Sequence, residues 1–233
     1  MKVEIVHGTL LRTNNILIGN EKSVILIDPS ASKEKLQDKI AGRDVLAVLL
    51  THGHWDHFQT LDEIINNQNC KCYLTFEAYQ KIKDNSIRTK YEKKIVSMLS
   101  EDCFSFIEDE QILSFENFEI KIFRTSGHTN CSVSYLINPR EAPFVYKGND
   151  FLFESETTGV EYDGSILISG DTLFKGGQGR TDLPTGNQEE IEKSISKLLS
   201  LPNDLIVIAG HGEITTIGEE KKLYWWILKE LRF

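Results

Sequence analysis

The stretch that decides the fold runs from residue 45 to residue 57 and reads VLAVLLTHGHWDH. Its first six residues are all apolar, which is typical of a short strand covered on both faces. The remaining seven, THGHWDH, contain three of the six histidines in the chain. Because histidine is the commonest metal ligand among side chains, this concentration after a buried strand predicts a metal site.

The spacing within this cluster divides it between two ions. Side chains at positions i and i+2 of an extended segment face the same way, so His52 and His54 can bind one ion together. Asp56 and His57 follow the turn and can face a second ion. We therefore expect one loop to serve two metals.

Three further candidates, each alone in its segment, repeat one local pattern of strand, glycine and ligand. His128 follows Ser-Gly, Asp171 follows another Ser-Gly, and His211 follows Ala-Gly, each time just after an apolar run. A glycine lets the backbone turn sharply at the end of a strand. Ligands that leave one edge of a sheet can converge although they are distant in sequence, so these three residues are expected to complete the site.

Elsewhere the apolar spacing alternates between strand-like and helical runs. Helices are predicted at residues 33–40, around 61–65, at 78–99 and at 188–199, with strands between them and a short helix near the C-terminus. The pattern indicates a mixed α and β fold with helices covering the sheet. Repeats, linkers and low-complexity tracts are lacking, so residues 1–233 are predicted to form a single domain. Residues 138–164 are expected to form an inserted hairpin.

Composition restricts the partners. The formal net charge of −9 disfavours nucleic acid, and no run approaches the roughly 20 apolar residues that span a bilayer. The N-terminal residues lack the features of a signal peptide, so a cytoplasmic location is expected. The four cysteines are irregularly spaced and are expected to be reduced. The oligomeric state is not predicted.

With its His-x-His-x-Asp-His motif and its later single ligands, the chain resembles the metallo-β-lactamase superfamily, and within it the short glyoxalase II-like thioester hydrolases. The resemblance covers nearly the whole chain and implies a four-layer αββα sandwich. It also implies that Asp171 bridges two metal ions. The first ion would be bound by His52, His54 and His128, and the second by Asp56, His57 and His211.

Two metal ions of this kind would supply a hydroxide at neutral pH, held with the help of Asp56, and would polarise a substrate carbonyl. The ligand set suits zinc, and also iron or manganese. The expected reaction is therefore hydrolysis of a small-molecule thioester, such as a hydroxyacyl-glutathione or a related acyl-thiol. The loop after Asp171 is also similar to that of short glyoxalase II-like enzymes, and it contributes Phe174, Arg180 and Asp182 as candidate substrate contacts.

Alternatives remain open within the family. A mononuclear iron persulfide dioxygenase shares the histidine cluster and a similar Gly-Arg-Thr-Asp element, and a lactone or β-lactam hydrolase shares the fold. Long glyoxalase II enzymes grip glutathione with a C-terminal region, whereas only 22 residues follow His211 here, so the resemblance does not by itself imply recognition of glutathione. Cys131, close to the third histidine ligand, is either a soft ligand or a small buried side chain, and burial is the commoner role.

Overall fold

The computed structural model describes residues 1–8, 11–83, 99–140, 144–146, 160–162 and 164–224. The helices are α1 (Lys33–Ile40), α2 (Leu61–Gln68), α3 (Phe76–Lys83), α4 (Gln188–Leu199) and α5 (Ile217–Leu223), with 3₁₀ turns at Trp55–His57 and Glu101–Cys103. The strands in the first part of the chain are β1 (Lys2–His7), β2 (Asn14–Gly19), β3 (Ser23–Ile27), β4 (Asp44–Leu49), β5 (Lys71–Leu74), β6 (Phe104–Phe106), β7 (Ile112–Ser114) and β8 (Phe118–Arg124). The later strands are β9 (Val133–Pro139), β10 (Phe144–Tyr146), β11 (Val160–Tyr162), β12 (Ile166–Gly170), β13 (Leu173–Phe174), β14 (Gly177–Gln178), β15 (Ile206–Ala209) and β16 (Thr215–Thr216).

Two mixed sheets form the centre of the described structure. One has the order β11-β10-β1-β2-β3-β4-β5-β6, the other has the order β16-β15-β12-β9-β8-β7, and β13 and β14 make a separate small hairpin. One apolar cluster lies between the sheets, where residues such as Ile25 and Leu49 of the first sheet meet Ile168 and Tyr135 of the second. Burial on this inner face holds the sheets together.

Helices cover the outer faces of both sheets. Leu36 of α1 and Ile64 of α2 pack with Leu26 and Val48 on the outside of the first sheet. Ile195 of α4 belongs to the apolar cluster on the outside of the second sheet. The order of layers is therefore helix, sheet, sheet, helix, which confirms the predicted four-layer αββα sandwich.

The direction of the strands brings the predicted ligands to one edge. β12 runs parallel to β15 and antiparallel to β9, and β9 runs antiparallel to β8, so β8, β12 and β15 all end at the same edge of the second sheet. Val133 N donates to Thr51 O, which ties this edge to the end of β4 in the first sheet. The four strands that precede the predicted ligands thus end close together.

The predicted bounds of two helices agree with the structure, and each of these helices begins after a capping side chain. Helix α1 begins after Ser32 and α4 after Asn187, whose side chains accept from Lys35 N and Glu190 N respectively. The predicted helix at residues 78–99 begins earlier, because α3 starts at Phe76, and residues 84–98 lie outside the described residues.

The expected hairpin at residues 138–164 lies only partly within the described residues. β10 pairs antiparallel with β11 and parallel with β1, so the described part extends the first sheet. Residues 141–143, 147–159 and 163, and the C-terminal residues 225–233, lie outside the described residues. Among the described helices, none has the length and apolar character needed to cross a membrane.

Candidate metal centre

The first predicted group of ligands converges as three imidazoles. His52 Nε2 lies 3.0 Å from His54 Nδ1, and His128 Nε2 lies 2.9 Å from the same atom. His52 and His128 are buried, and their rings cross nearly at right angles to the ring of His54. Three ring nitrogens from two separate loops therefore point at one position.

The second predicted group joins the 3₁₀ turn to the loop after β15. His211 Nε2 lies 3.2 Å from Asp56 Oδ2, and His57 Nε2 lies 3.6 Å from the same oxygen. Ligands bound at about 2.0–2.1 Å around a tetrahedral ion lie about 3.4 Å apart, so these spacings suit a shared ion. His57 is fully buried, whereas the His211 side chain is 24% exposed, so this position lies nearer the solvent.

Asp171 lies between the two groups. Its Oδ2 is 3.6 Å from His128 Nε2 of the first group and 3.5 Å from His211 Nε2 of the second. Its Oδ1 is 3.5 Å from His57 Nε2. One carboxylate thus contacts both groups, which is the placement expected of a bridging ligand, and the adjacent groups fit a di-metal site.

In His128 and His211, the hydrogen bond made by Nδ1 shows that the lone pair of Nε2 faces the ligand groups. His128 Nδ1 donates to Arg180 O at 2.8 Å, and His211 Nδ1 donates to Leu11 O at 3.0 Å. A ring whose Nδ1 carries the proton presents an unprotonated Nε2 when it is neutral. The Nε2 atoms of these rings are therefore free to bind a cation, and the outer hydrogen bonds fix their orientation.

Two buried polar atoms show that the residues present fit metal ions. His57 Nε2 and Asp171 Oδ1 are both shielded from solvent and make no hydrogen bond to any described residue. Leaving such atoms unpaired inside a protein is costly, and the cost is removed if a cation binds there. The same conclusion holds for the three converging imidazole nitrogens, since neutral imidazoles cannot all donate to one another.

The pKa shifts differ between the two groups of ligands. Burial, reinforced by the neighbouring Lys81 and His128, lowers the pKa of His54 to about 3, and burial also lowers the pKa of His128. Burial raises the pKa of Asp171, but the nearby His57 and His211 outweigh it, so the net direction is downward.

At the second group, burial lowers the pKa of His57, but Asp171 and Asp28 outweigh it and the net direction is upward. Burial likewise lowers the pKa of His211, but the carboxylates of Asp56 and Asp171 raise it overall. A metal ion binds the neutral ring, so an ion at the second group would take the place of these protons.

Glycines before the ligands serve two different purposes. Gly127 and Gly170 have positive φ values of 137° and 53°, as expected for the sharp turns predicted before His128 and Asp171. Gly210, before His211, does not have a positive φ. A Cβ at that position would lie 2.1 Å from Asp171 Oδ1 and 2.8 Å from a carbon of the His57 ring, so close approach is what requires this glycine.

Sequence reasoning missed Asp28, which supports ligands of both groups. Its Oδ2 accepts from His57 Nδ1 at 2.9 Å and from the hydroxyl of Thr51 at 2.7 Å, while its Oδ1 accepts from Thr51 N. The Thr51 hydroxyl in turn lies 3.1 Å from His52 Nδ1 and can accept its proton. In the sequence an Asp-Pro pair after a strand signals only a turn.

We expect Asp28→Asn to lower metal affinity by about 10–100-fold, because a carboxylate behind a histidine ligand orients the ring and increases its basicity. The measurement is a titration with Zn²⁺ in competition with a chelator. Asp38→Asn, on the exposed side of α1, is the matched control and should bind like the wild type. Wild-type affinity in Asp28→Asn would show that the carboxylate does not support the ligands.

The three predicted substrate contacts differ in their surroundings. The ring of Phe174 meets the ring of His211 edge-on at 6.4 Å, so this side chain borders the second group. Arg180 forms a two-pronged ion pair with Asp182, with both hydrogen bonds at 2.7 Å and both side chains exposed. The structure thus brings Phe174 to the site, whereas the Arg180 backbone rather than its side chain contacts a ligand.

Cys131 lies away from the three groups. Its side chain is fully buried in the apolar cluster beneath the helices of the first sheet, and its sulfur lies 3.1 Å from the hydroxyl of Thr129. It belongs to none of the described groups of residues that could hold an ion. The structure therefore favours the burial role over the soft-ligand role.

The family model for the metallo-beta-lactamase superfamily matches residues 8–141 and 159–211. Among curated proteins, the chain is 30% identical over 230 residues to hydroxyacylglutathione hydrolase GloC of Haemophilus influenzae, covering 95% of this chain and 96% of that protein.

Two solved structures are similar over nearly their whole length. BLEG-1, a B3 metallo-beta-lactamase, is 27% identical with a TM-score of 0.71, and the match covers 94% of this chain and 96% of BLEG-1. TTHA1623 in a di-iron-bound form is 24% identical with a TM-score of 0.68, and the match covers 94% of this chain and 97% of that one. The sandwich, the converging ligands and the match to the family model agree, and the chain belongs to the metallo-β-lactamase superfamily.

Proposed function

We propose that this protein is a metal-dependent hydrolase that cleaves a small thioester, a hydroxyacyl-glutathione or a related acyl-thiol. The observation that carries the proposal is the position of Asp171 between two adjacent groups of ligands, within 3.6 Å of a histidine in each. Two ions held by these groups would supply hydroxide at neutral pH and would polarise a carbonyl.

The residues around the ions have separable roles. His52, His54 and His128 would hold the first ion, and Asp56, His57 and His211 would hold the second. Asp171 lies between the two groups, where its carboxylate would offset the charge of both ions. Asp56, whose side chain is 18% exposed, would also hold the attacking hydroxide by a hydrogen bond.

Two threonine hydroxyls next to the ligands are engaged in hydrogen bonds to other residues. The Thr51 hydroxyl is fully buried and donates to Asp28, and the Thr172 hydroxyl is buried and donates to Thr125. Both hydroxyls are therefore occupied in holding the ligand loops. Attack by an activated water is the chemistry that the arrangement supports best.

The thioester is supported by similarity over the full chain to a hydroxyacylglutathione hydrolase and by Phe174, an apolar ring at the border of the second group. The side chains of Arg180 and Asp182 are exposed and form an ion pair with each other. A substrate that binds either side chain must therefore displace this ion pair. The metal is proposed to be zinc, with iron and manganese as the alternatives. A similar solved structure holds two irons, so the test compares the activity of the protein with each of the three metals.

The experiment is a substrate panel assayed with apoprotein reconstituted with Zn²⁺, Fe²⁺ or Mn²⁺. The panel contains hydroxyacyl-glutathione, thioesters of other carriers, lactones, β-lactams and glutathione persulfide. We expect the highest kcat/KM for a thioester, measured as thiol release, with activity lost on chelation and restored by metal. A higher kcat/KM for a lactone or β-lactam would contradict the thioester assignment, and oxygen uptake with persulfide at about one iron per chain would contradict hydrolysis itself.

A further inference from the structure

The start of β2 meets the loop that carries His211. Asn14 is the first residue of β2 and is 2% exposed, although it lies 197 residues from His211 in the sequence. Its backbone N donates to Gly210 O at 2.7 Å. Its side-chain Nδ2 donates to Ala209 O and to Gly212 O, both at 3.0 Å. One residue therefore holds three carbonyls around a single predicted ligand.

The geometry of these bonds fixes the path of the loop. A primary amide has two N–H groups at a fixed angle, and here each serves one of the carbonyls that flank His211. The imidazole itself is held by the same part of the chain, because its Nδ1 donates to Leu11 O. Both the backbone and the ring of His211 are thus positioned by residues 11–14.

The donor end of the Asn14 side chain makes its hydrogen bonds. Its Oδ1 is buried and makes no hydrogen bond to any residue that the structure describes. A buried amide oxygen without a partner is unfavourable. Among the described residues the Asn14 side chain is therefore engaged through its two Nδ2 donors, which are the groups that hold the loop.

The first group of ligands is held in place by residues other than Asn14. His128 donates to Arg180 O, and the ring of His52 lies against the Thr51 hydroxyl, which Asp28 holds in turn. Asn14 makes none of these hydrogen bonds. Loss of the Asn14 donors should therefore act on the second position and leave the first unchanged.

We propose that Asn14 is a positioning residue for the second metal ion, acting by holding the loop of His211 in the geometry that lets its Nε2 and Asp56 share that ion. This inference concerns metal binding and is independent of which substrate the enzyme cleaves. It rests on the three hydrogen bonds from Asn14 to residues 209–212.

The test is a stepwise titration of apoprotein with Zn²⁺ in competition with a chromophoric chelator. His211→Ala and His54→Ala are titrated first, to assign the two binding steps. In Asn14→Ala we expect the step weakened by His211→Ala to weaken by about 10–100-fold, while the step weakened by His54→Ala changes by less than about twofold. Asn14→Ser, which keeps one donor, is expected to fall between Asn14→Ala and the wild type.

The matched control is Asn20→Ala. Asn20 follows the other end of β2, where its side-chain oxygen accepts from Lys22 N and Ser23 N, so its loss weakens a turn without touching the metal centre. It should leave both zinc steps unchanged. Equal weakening of both steps in Asn14→Ala, with a lower Tm of the apoprotein, would make Asn14 a stabilising residue only. Unchanged steps in both Asn14 variants would remove it from the metal centre.

Discussion

Asp171→Ala is expected to lose both tightly bound metal ions and to hydrolyse thioester at least about a thousandfold more slowly, a loss of about 4 kcal/mol of transition-state stabilisation. Two divalent ions about 4 Å apart repel each other, by on the order of 16 kcal/mol if the effective dielectric constant is about 20. Asp171 contacts both ligand groups, where it would supply compensating charge between the ions. Without it, the positions cannot both be filled tightly.

Metal content per chain after dialysis and the rate of thiol release are the two readouts for this variant. Asp44→Ala is the control, because Asp44 is exposed and lies at the opposite end of the strand that leads to the histidine cluster. It should keep the wild-type metal content and rate. Two tightly bound ions in Asp171→Ala would contradict the bridging role.

Gly210→Ala is expected to reduce metal content and to slow hydrolysis by at least about a hundredfold, a loss of about 2.7 kcal/mol of transition-state stabilisation. The added methyl would lie 2.1 Å from Asp171 Oδ1 and 2.8 Å from a carbon of the His57 ring, both closer than real contacts allow. The ligands must move apart to admit it, and a displacement of about 1 Å at a catalytic centre is enough for a loss of this size.

Gly177→Ala controls for the substitution itself, since a Cβ at that position has no neighbour within 4 Å. It should keep the wild-type metal content and Tm. Circular dichroism and thermal denaturation of the apoproteins separate a local effect in Gly210→Ala from general unfolding. Wild-type metal content and rate in Gly210→Ala would contradict this prediction and would mean that the loop after β15 can shift to accept a methyl group beside Asp171.

The sequence predicted the ligands better than it predicted what holds them. His52, His54 and Asp56 share one short segment, and the repeated glycine before His128 and Asp171 marks turns at strand ends, so these signals are local. The structure also brings all seven predicted ligands together in three overlapping groups. Their individual roles at each ion remain predictions that metal titration can test.

Asp28 and Asn14 could not be found in this way. Each is one polar residue at the end of a strand, where turn residues are common, and its partners lie far away in the sequence: Asp28 bonds to Thr51 and His57, and Asn14 bonds to residues 209–212. Their roles depend on which strand ends meet, and that is fixed by the packing of the two sheets. The pairing of β10 with β1 was missed for the same reason, since local spacing cannot reveal a partner more than a hundred residues away.

The number of metal ions needed for hydrolysis tests the central claim most directly. Apoprotein is titrated with Zn²⁺ while thioester hydrolysis and bound metal per chain are measured in the same samples. Two cooperating positions predict that bound metal saturates at about two ions per chain and that full activity appears only with the second equivalent. Saturation at about one ion per chain with full activity, or hydrolysis that persists in metal-free protein, would contradict a two-metal hydrolase.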